Sequence, residues 1–386
     1  MNIIVLHPFI RPGGAESVML KQCAYLQEEG LNITIVTAYI EGNSSLDISG
    51  IDIVSSIGLL NSYCIKYKLI RQIFGSIIMM HLLLKHSKKS NLIFSHNSPS
   101  HLIAIMTKFW HKQKIIWMCN EPPKKILLRN IRESSVVEYL SLFLLDSFVE
   151  RLLVNKYIDR ILVLDEKNKE IVKERYKRES YKIYSPFDKP KHTVINNAVS
   201  SIIPKLRLVI IGTLHYRRRV DIAIDLCYQL NRKGFFSELH IVGDGPFRKN
   251  LESQTISKGI GDQVIFHGFV SDSEKRRIIQ YCHVTLLCAE NQSWGLTPIE
   301  SLQLGRISIV SKDCGVSEIL MEHKSGYVYD GSLSMLISIT LSVISDYGSK
   351  EYFQMINNGY KMIENVLSVD AYTARLKKHF HQTLEE

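Results

Sequence analysis

Three consecutive arginines, Arg217 to Arg219, follow a strand-like apolar run that ends at Gly212. The guanidinium group matches the geometry of phosphate oxygens through two parallel hydrogen bonds. A helical pattern begins at Val220, so the arginines lie where a strand meets a helix. This loop is a candidate site for a phosphate-bearing ligand, although a basic loop is also common as a solvated surface.

A second candidate segment runs from Ala289 to Glu300. Thr297 and Pro298 are typical of the first positions of a helix, and Glu300 stands three residues after Thr297, which predicts a capping box. A helix N-terminus also presents free N–H groups and a positive dipole end to an anion. These residues alone leave two readings open: Glu300 only caps the helix, or the loop binds a diphosphate.

The elements that must position these loops are short apolar strands alternating with amphipathic helices, which predicts parallel, doubly wound sheets. One series starts at Ile3–Leu6 and a second at Leu208–Ile211, separated by a polar, turn-rich stretch near residue 190. We predict an α/β protein with two Rossmann-like domains, 1–190 and 191–366, and a last helix, about 367–386, packed back on the first. Ligands of such sheets bind beyond the carboxyl ends of the strands, so the loops of both domains would line a central cleft.

Five segments between residues 208 and 330, taken in order, resemble the C-terminal domain of glycosyltransferase family 4, the group-1 glycosyltransferases. They are Gly212-Thr-Leu with Arg218, Val242-Gly-Asp-Gly-Pro246, Phe266-His-Gly-Phe-Val270, Trp294-Gly-Leu-Thr-Pro-Ile-Glu300 with Gly305, and Gly315-Val-Ser-Glu318 with Ser325-Gly326. The N-terminal half matches more weakly, through Gly13-Gly-Ala-Glu16, His96-Asn-Ser-Pro99, Glu121-Pro-Pro-Lys124 and, as a linker, Tyr184-Ser-Pro-Phe-Asp188. The proline pair is similar to that of a mannosyltransferase-like branch.

The resemblance implies a GT-B fold and transfer of a hexose, with retention at the anomeric carbon, from a GDP- or UDP-linked sugar. It implies no metal and no further cofactor, and the sequence has no Asp-x-Asp motif between a strand and a loop and no cluster with metal-ligand spacing. The expected acceptor is a glycan or a lipid-linked oligosaccharide in cell-surface polysaccharide or lipopolysaccharide synthesis. Two alternatives stay open: a fold-retaining binding protein weakened in catalysis, and a nucleotide-sugar 2-epimerase.

The same resemblance assigns roles to individual residues. Arg218 would bind the departing diphosphate, Glu300 the nucleotide ribose, and His96 would lie near the reacting sugar, so these three form the predicted catalytic set. The remaining predicted donor-binding residues are Gly13, Gly14, Thr213, Gly243, Gln292, Trp294, Gly295, Leu296 and Thr297. Four other histidines, His7, His101, His215 and His267, are expected to be ordinary loop or strand-end residues.

Four positions depart from the family pattern. Gln292 stands where the first Glu of a Glu-seven residues-Glu motif is expected, so an acceptor is kept and a charge is lost. Thr213 replaces a frequent basic residue, Asn120 a frequent histidine, and Lys124 an arginine. These differences leave the donor sugar open, and the change at Gln292 is what raises the alternative of a binding protein.

The charge of the first half is unevenly placed. Between Asp52 and Glu121 there are nine basic residues and no acidic one, and residues 1–190 carry a net charge of +8 out of +10 for the chain. Such a stretch indicates an anionic partner: a nucleic acid, an anionic membrane or a phosphate-bearing substrate. The alternative is a basic surface that only keeps the protein soluble. Nucleic acid is disfavoured because no aromatic interleaving or binding motif accompanies the charge.

A membrane surface is the favoured anionic partner because the apolar run Ile77–Leu84 is followed by Lys85, Lys88 and Lys89. The alternative is that this run is a core helix whose end the lysines solvate. The apolar stretch is too short to span a bilayer, no signal peptide is recognised, and seven scattered cysteines favour a reducing compartment. We therefore expect a cytoplasmic protein, peripheral on the inner face of the plasma membrane.

Overall fold

The computed structural model describes residues 1–10, 13–40, 50–55, 68–122, 148–190 and 205–386, with only the backbone described for 68–73. Lys66 and Lys124 lie outside these ranges. The chain forms two compact units, Met1–Pro186 together with Val369–Glu386, and Phe187–Ser368. The division follows Pro186, whereas the sequence predicted it near residue 190.

The first unit contains a seven-stranded parallel sheet with strand order β3-β2-β1-β4-β5-β6-β7. The strands are β1 (Asn2–Ile10), β2 (Asn32–Ile40), β3 (Asp52–Ser55), β4 (Leu92–His96), β5 (Lys114–Met118), β6 (Arg160–Val163) and β7 (Tyr181–Lys182). The helices are α1 (Gly14–Glu28), α2 (Lys68–Ser87), α3 (Ser100–Thr107), α4 (Phe148–Tyr157), α5 (Glu166–Tyr176) and, from the end of the chain, α13 (Val369–Glu385).

The strands of this sheet are nearly continuous apolar runs because helices cover both faces. Ile3 pairs with Ile33 on one side and Leu92 on the other, and all three are buried. Helix α13 belongs to this unit: the ring of Phe380 lies 5.4 Å from that of Phe94, and Arg160 donates to Gln382 at 2.7 Å.

The second unit contains a six-stranded parallel sheet with order β10-β9-β8-β11-β12-β13. The strands are β8 (Leu206–Ile211), β9 (Ser237–Val242), β10 (Val264–Gly268), β11 (Val284–Leu287), β12 (Ile307–Ser311) and β13 (Tyr327–Tyr329). The helices are α6 (Val220–Arg232), α7 (Arg248–Ser257), α8 (Asp272–Tyr281), α9 (Thr297–Gln303), α10 (Val316–Glu322), α11 (Leu333–Asp346) and α12 (Lys350–Met362).

The strand orders locate one crevice in each sheet. In an open parallel sheet, ligands bind at the carboxyl ends of the strands where the strand order reverses. That point lies between β1 and β4 in the first unit and between β8 and β11 in the second. The predicted fold, mixed α/β with two Rossmann-like parallel sheets, is confirmed.

Candidate functional site

Two glycine loops approach each other at the carboxyl ends of β8 and β9. Gly212 has φ +150° and Gly243 has φ +121°, both in the region that favours glycine. A Cβ on Gly243 would lie 2.1 Å from the carbonyl oxygen of Gly212, which no side chain could accept. The Gly212 N–H also donates to the Val242 carbonyl at 2.9 Å. The loops therefore pack backbone against backbone, which only glycine at position 243 permits.

Arg218 lies beside this glycine loop, at the end of a 3₁₀ turn from Tyr216 to Arg218. Its Nε is 3.7 Å from the position that a Cβ on Gly212 would take, and its Nη1 donates to Oε1 of Gln292. A small recess is lined by Gly212, Leu214, Arg218 and Leu287 together with neighbouring apolar residues. The structure thus brings Arg218 and Gln292 together at the ends of β8 and β11, two strands that meet at the switch point.

The neighbouring Arg219 has a different role. It has a left-handed backbone, with φ 51°, and its guanidinium binds the carboxylates of Glu290 and Asp221, the latter at 3.2 Å. Burial would lower the pKa of Arg219, but these carboxylates outweigh burial and raise it. Arg219 therefore fixes the loop through two carboxylates, whereas Arg218 donates to the amide of Gln292.

The loop that carries Gln292 is packed against the sheet. The Gln292 carbonyl accepts from the Gly315 N–H at 2.9 Å, and a Cβ on Gly295 would lie 2.5 Å from a methyl group of Leu287. Trp294 is buried, and Thr213, on the neighbouring β8 loop, is exposed. Leu296 and Thr297 follow at the start of α9. The predicted donor residues of this unit accordingly lie in the loops at the carboxyl edge of one sheet.

The predicted capping box at Thr297 is wrong. Helix α9 begins at Thr297 itself, and the preceding Leu296 already has helical dihedrals, φ −78° and ψ −40°, with no side-chain capping bond. The carboxylate of Glu300 instead accepts from Nζ of Lys275, 3.0 Å away on α8. A tertiary ion pair has replaced the local cap, because a lysine four residues into α8 lies within reach. Lys275 was not singled out from the sequence.

The crevice of the first unit is lined by histidine and asparagine side chains. His7 on β1 and His96 at the end of β4 are both buried, with ring centroids 6.3 Å apart. Asn97 has φ 62° and lies 3.5 Å from Nε2 of His7, and it accepts from the amide of Asn120 at 2.8 Å. Three separate strands thus contribute to one network, of which sequence reasoning identified only His96 as functional.

Burial dominates the ionisation of His96. Desolvation, with a smaller contribution from the charge of His7, lowers the pKa of His96 to about 3. The ring is therefore neutral at physiological pH and can exchange hydrogen bonds without carrying charge. Gly13 and Gly14, also predicted to bind the donor, are exposed where α1 begins after the loop that follows β1.

The remaining histidines vary in environment. His101 is not in a loop: it lies fully buried in α3, stacked on Trp117 at 4.1 Å and 3.3 Å from the carboxylate of Glu150. His267, on β10, contacts His240 at 2.9 Å, and His215 lies in the β8–α6 loop. Among the described residues, no group of three or more His, Cys, Asp or Glu side chains is arranged to hold a metal ion.

Comparisons with known proteins agree on one group of enzymes. The family model described as glycosyl transferases group 1 matches residues 198–362. The chain is 21% identical, over 90% of its own length and 90% of the relative's, to the alpha-1,3/1,6-mannosyltransferase ALG2 of Dictyostelium discoideum. It is 31% identical, over 30% of each chain, to a GDP-mannose-dependent alpha-(1-6)-phosphatidylinositol dimannoside mannosyltransferase of Mycobacterium tuberculosis.

The fold comparison extends over the whole chain. The sucrose-phosphate synthase of Thermosynechococcus elongatus superposes with a TM-score of 0.80 at 13% identity, covering 99% of this chain and 98% of that one. At this identity the likeness concerns the fold alone.

Proposed function

Because the chain belongs to the group-1 glycosyltransferases, we propose that it is a retaining enzyme that transfers a hexose from a nucleotide-sugar to a glycan or lipid-linked acceptor. Retention means that the acceptor oxygen bonds to the anomeric carbon on the face from which the diphosphate departs. The acceptor belongs to cell-surface polysaccharide or lipopolysaccharide synthesis.

The observation that carries the proposal is the position of Arg218. Its guanidinium lies beside the Gly212 loop at the switch point of the second sheet, where ligands of open parallel sheets bind. The departing diphosphate gains charge as the glycosidic bond breaks, and a fixed cation there stabilises the transition state more than the ground state. In this proposal Arg218 and backbone N–H groups supply the stabilisation, and no metal ion is needed.

The donor is proposed to be mannose-like and carried on GDP, with a UDP-linked hexose as the other candidate. Support comes from the mannosyltransferase names of the two relatives and from the proline pair at Pro122. Glu300 binds the ribose, and the loop from Gln292 to Thr297 meets the sugar and the diphosphate.

The first unit is proposed to bind the acceptor. Its crevice offers hydrogen-bonding side chains, His7, His96, Asn97 and Asn120, which suit the hydroxyl groups of a sugar. The neutral ring of His96 can accept a hydroxyl proton in a hydrogen bond, because its pKa lies far below physiological pH.

Transfer from a panel of labelled nucleotide-sugars tests the proposal. Purified protein is incubated with GDP-mannose, UDP-glucose and UDP-galactose in the presence of a lipid-linked glycan extract, and labelled product is separated. We expect one donor to be consumed with release of its nucleoside diphosphate and retention at the anomeric carbon. Product with inverted configuration would contradict the retaining mechanism.

A second candidate function follows from Gln292. Arg218 donates to this amide where the family pattern has a carboxylate, and a protein that kept the fold but lost catalysis would still bind the nucleotide. Nucleoside diphosphate binding without turnover of any donor, and recovery of turnover in Gln292→Glu, would favour this binding protein over the enzyme.

We also propose that the first unit docks on an anionic membrane at the inner face of the plasma membrane. Helix α2 buries Met79 and Leu83 in the core but exposes Phe74 and Ile77, 52% and 53% accessible. The exposed lysines Lys85, Lys88 and Lys89 follow at the end of the helix. Apolar side chains that enter the headgroup region beside cations are what interfacial docking requires. None of the described helices is both long and apolar enough to cross a membrane.

Vesicle co-sedimentation tests the docking face. Binding should rise with anionic lipid, fall with salt and drop when Lys85, Lys88 and Lys89 become glutamate. The matched control changes three exposed lysines near α5 of the same unit, Lys167, Lys173 and Lys177, to glutamate, and binding should fall less. Equal loss in the two triple variants would show that only net charge matters, and no loss in either would place docking elsewhere.

A further inference from the structure

A lysine joins the first turns of two helices at the carboxyl edge of the second sheet. Lys275 and Glu300 each stand fourth in their helix, in α8 and α9, and their Nζ and Oε1 atoms are 3.0 Å apart. Both side chains are largely enclosed, 22% and 27% accessible. The pair is therefore tertiary and partly shielded from water, unlike an exposed ion pair within one helix.

The second partner of Lys275 is much more open to water. Asp272, one turn earlier on α8, lies 3.0 Å from the same Nζ but is 93% accessible. Burial would lower the pKa of Lys275, but the charges of Glu300 and Asp272 outweigh burial and raise it. The ammonium group is therefore held charged between an exposed carboxylate and the more enclosed one of Glu300.

We propose that Lys275 is a positioning residue that fixes the carboxylate of Glu300 for recognition of the nucleotide ribose. By engaging Oε1, Lys275 restricts rotation of the carboxylate and leaves Oε2 to accept from a ribose hydroxyl. Glu300 does not need to be ordered by the ligand, which lowers the entropic cost of binding. This inference rests on the proposed function, in which Glu300 is the ribose ligand.

If Lys275 positions Glu300, its replacement should weaken only the recognition of the ribose hydroxyls, which Glu300 binds. Calorimetric titration of the full chain with a nucleoside diphosphate, GDP or UDP, is therefore compared with titration with its 2′,3′-dideoxy counterpart. Wild-type protein should prefer the ribose form by about 10-fold or more, as expected for hydrogen bonds to a charged group. In Lys275→Met the preference should fall to about 3-fold or less, while affinity for the dideoxy form stays nearly constant.

Two further variants separate positioning from general structural effects. Lys275→Arg keeps a cation that can reach Glu300 and should recover most of the ribose preference. Arg277→Met removes the partner of Glu274 at an exposed position of the same helix, where the arginine is 78% accessible, and should leave the preference unchanged. Melting curves of all variants establish that each is folded before titration.

The outcomes distinguish this inference from the proposed function. If the wild type prefers the ribose form and Lys275→Met keeps the same ratio, or binds the ribose form more tightly, the positioning role is overturned while the proposed function stands. If the wild type binds both forms equally, Glu300 does not read the ribose and the inference falls with that assignment alone. If no nucleoside diphosphate binds, the proposed function itself fails.

Discussion

The two sheet edges of this protein have the same topology but opposite chemistry. In the first unit the crevice between β1 and β4 holds the buried rings of His7 and His96 and the half-buried amide of Asn97. In the second, the loops and helices that follow the strands hold half-buried charged groups, Arg218 with its amide partner and Glu300 with Lys275. The same architecture thus supports two kinds of recognition, and the side chains after the strands decide which.

The difference follows from what each edge is proposed to bind. Hydroxyl groups of an acceptor can be bound by partners without net charge, and burial keeps the pKa of His96 low enough to supply one. A diphosphate is stabilised by a fixed cation, which Arg218 beside the glycine loop supplies. Each edge can be disturbed separately, so the comparison is open to test.

The largest effect is expected at Gly243. In Gly243→Ala the new Cβ would meet the Gly212 carbonyl oxygen at 2.1 Å, in a backbone with φ +121°. We expect a loss of at least ~3 kcal/mol of unfolding free energy, measured as a lower urea midpoint. Gly234→Ala is the control: its φ is +84°, but nothing lies within 4 Å, so only about 1–2 kcal/mol is expected. Equal losses would mean that the close approach of the two loops is not tight.

The next largest effect is expected at Arg218. Loss of a charge-assisted contact in the transition state costs about 1.5–3 kcal/mol, so Arg218→Ala should reduce kcat by about 10- to 150-fold. Arg219 binds Glu290 and Asp221 instead, so Arg219→Ala should mainly lower the melting temperature and should affect kcat less than Arg218→Ala does. Steady-state kinetics at saturating donor measures both variants. Unchanged kcat in Arg218→Ala would remove the cation from the proposed mechanism.

The buried ring of His96 in the first unit should make stability depend on pH. The pKa of His96 falls from an ordinary 6.5 to about 3 in the folded chain. Below pH 6.5 the unfolded chain therefore binds a proton that the folded chain does not take up until about pH 3, and stability is lost as pH falls through that window. At pH 5 the loss from His96 is about 2 kcal/mol.

Replacing His96 should remove its contribution to the stability that is lost on acidification. Urea midpoints at pH 7.5 and pH 5 are compared for wild type and His96→Gln, and the variant should lose less stability on acidification. The pKa values of His283 and His379 are also lowered, to about 4, so the wild type should lose more than the His96 share alone. An identical acid loss in both proteins would show that His96 is not the buried neutral group described.

The smallest effect is expected at Glu300. Glu300→Gln keeps an acceptor but removes the charge that binds Lys275 and, in the proposal, the ribose. We expect nucleotide affinity to fall about 10-fold while the melting temperature changes little, because the pair is a quarter exposed. Calorimetric titration and melting curves measure the two quantities, with Glu274→Gln on α8 as the exposed control. A lower melting temperature with unchanged affinity would make Glu300 structural.

Much of the fold was predictable because its signals are local. Alternating apolar runs and helical periods indicated the parallel sheets, and the apolar run of β8 ends at the glycine where the loop begins. The position of Arg218 relative to Gly212 was also a local signal, since both lie in one short strand-to-helix loop.

The missed features depend on residues far apart in the chain. Lys275 stands in a strongly charged helical segment typical of a solvated face, and its distance to Glu300 is set by how α8 and α9 pack. The network of His7, Asn97 and Asn120 is assembled from β1 and from the segments that follow β4 and β5. The predicted capping box is wrong for the same reason. The spacing of Thr297 and Glu300 permits a cap, but Leu296 is already helical and the carboxylate of Glu300 binds Lys275.

The central claim is that the edge of the second unit, with Arg218, binds a nucleoside diphosphate. The most direct measurement is a thermal-shift screen of the full chain with GDP, UDP and their sugars, in wild type and Arg218→Ala. At about 100 times its dissociation constant a ligand stabilises the folded protein by about 2.7 kcal/mol, so one nucleotide should raise the wild-type melting temperature clearly and the variant's much less. If no nucleotide shifts the wild type, or the variant shifts equally, the claim is contradicted.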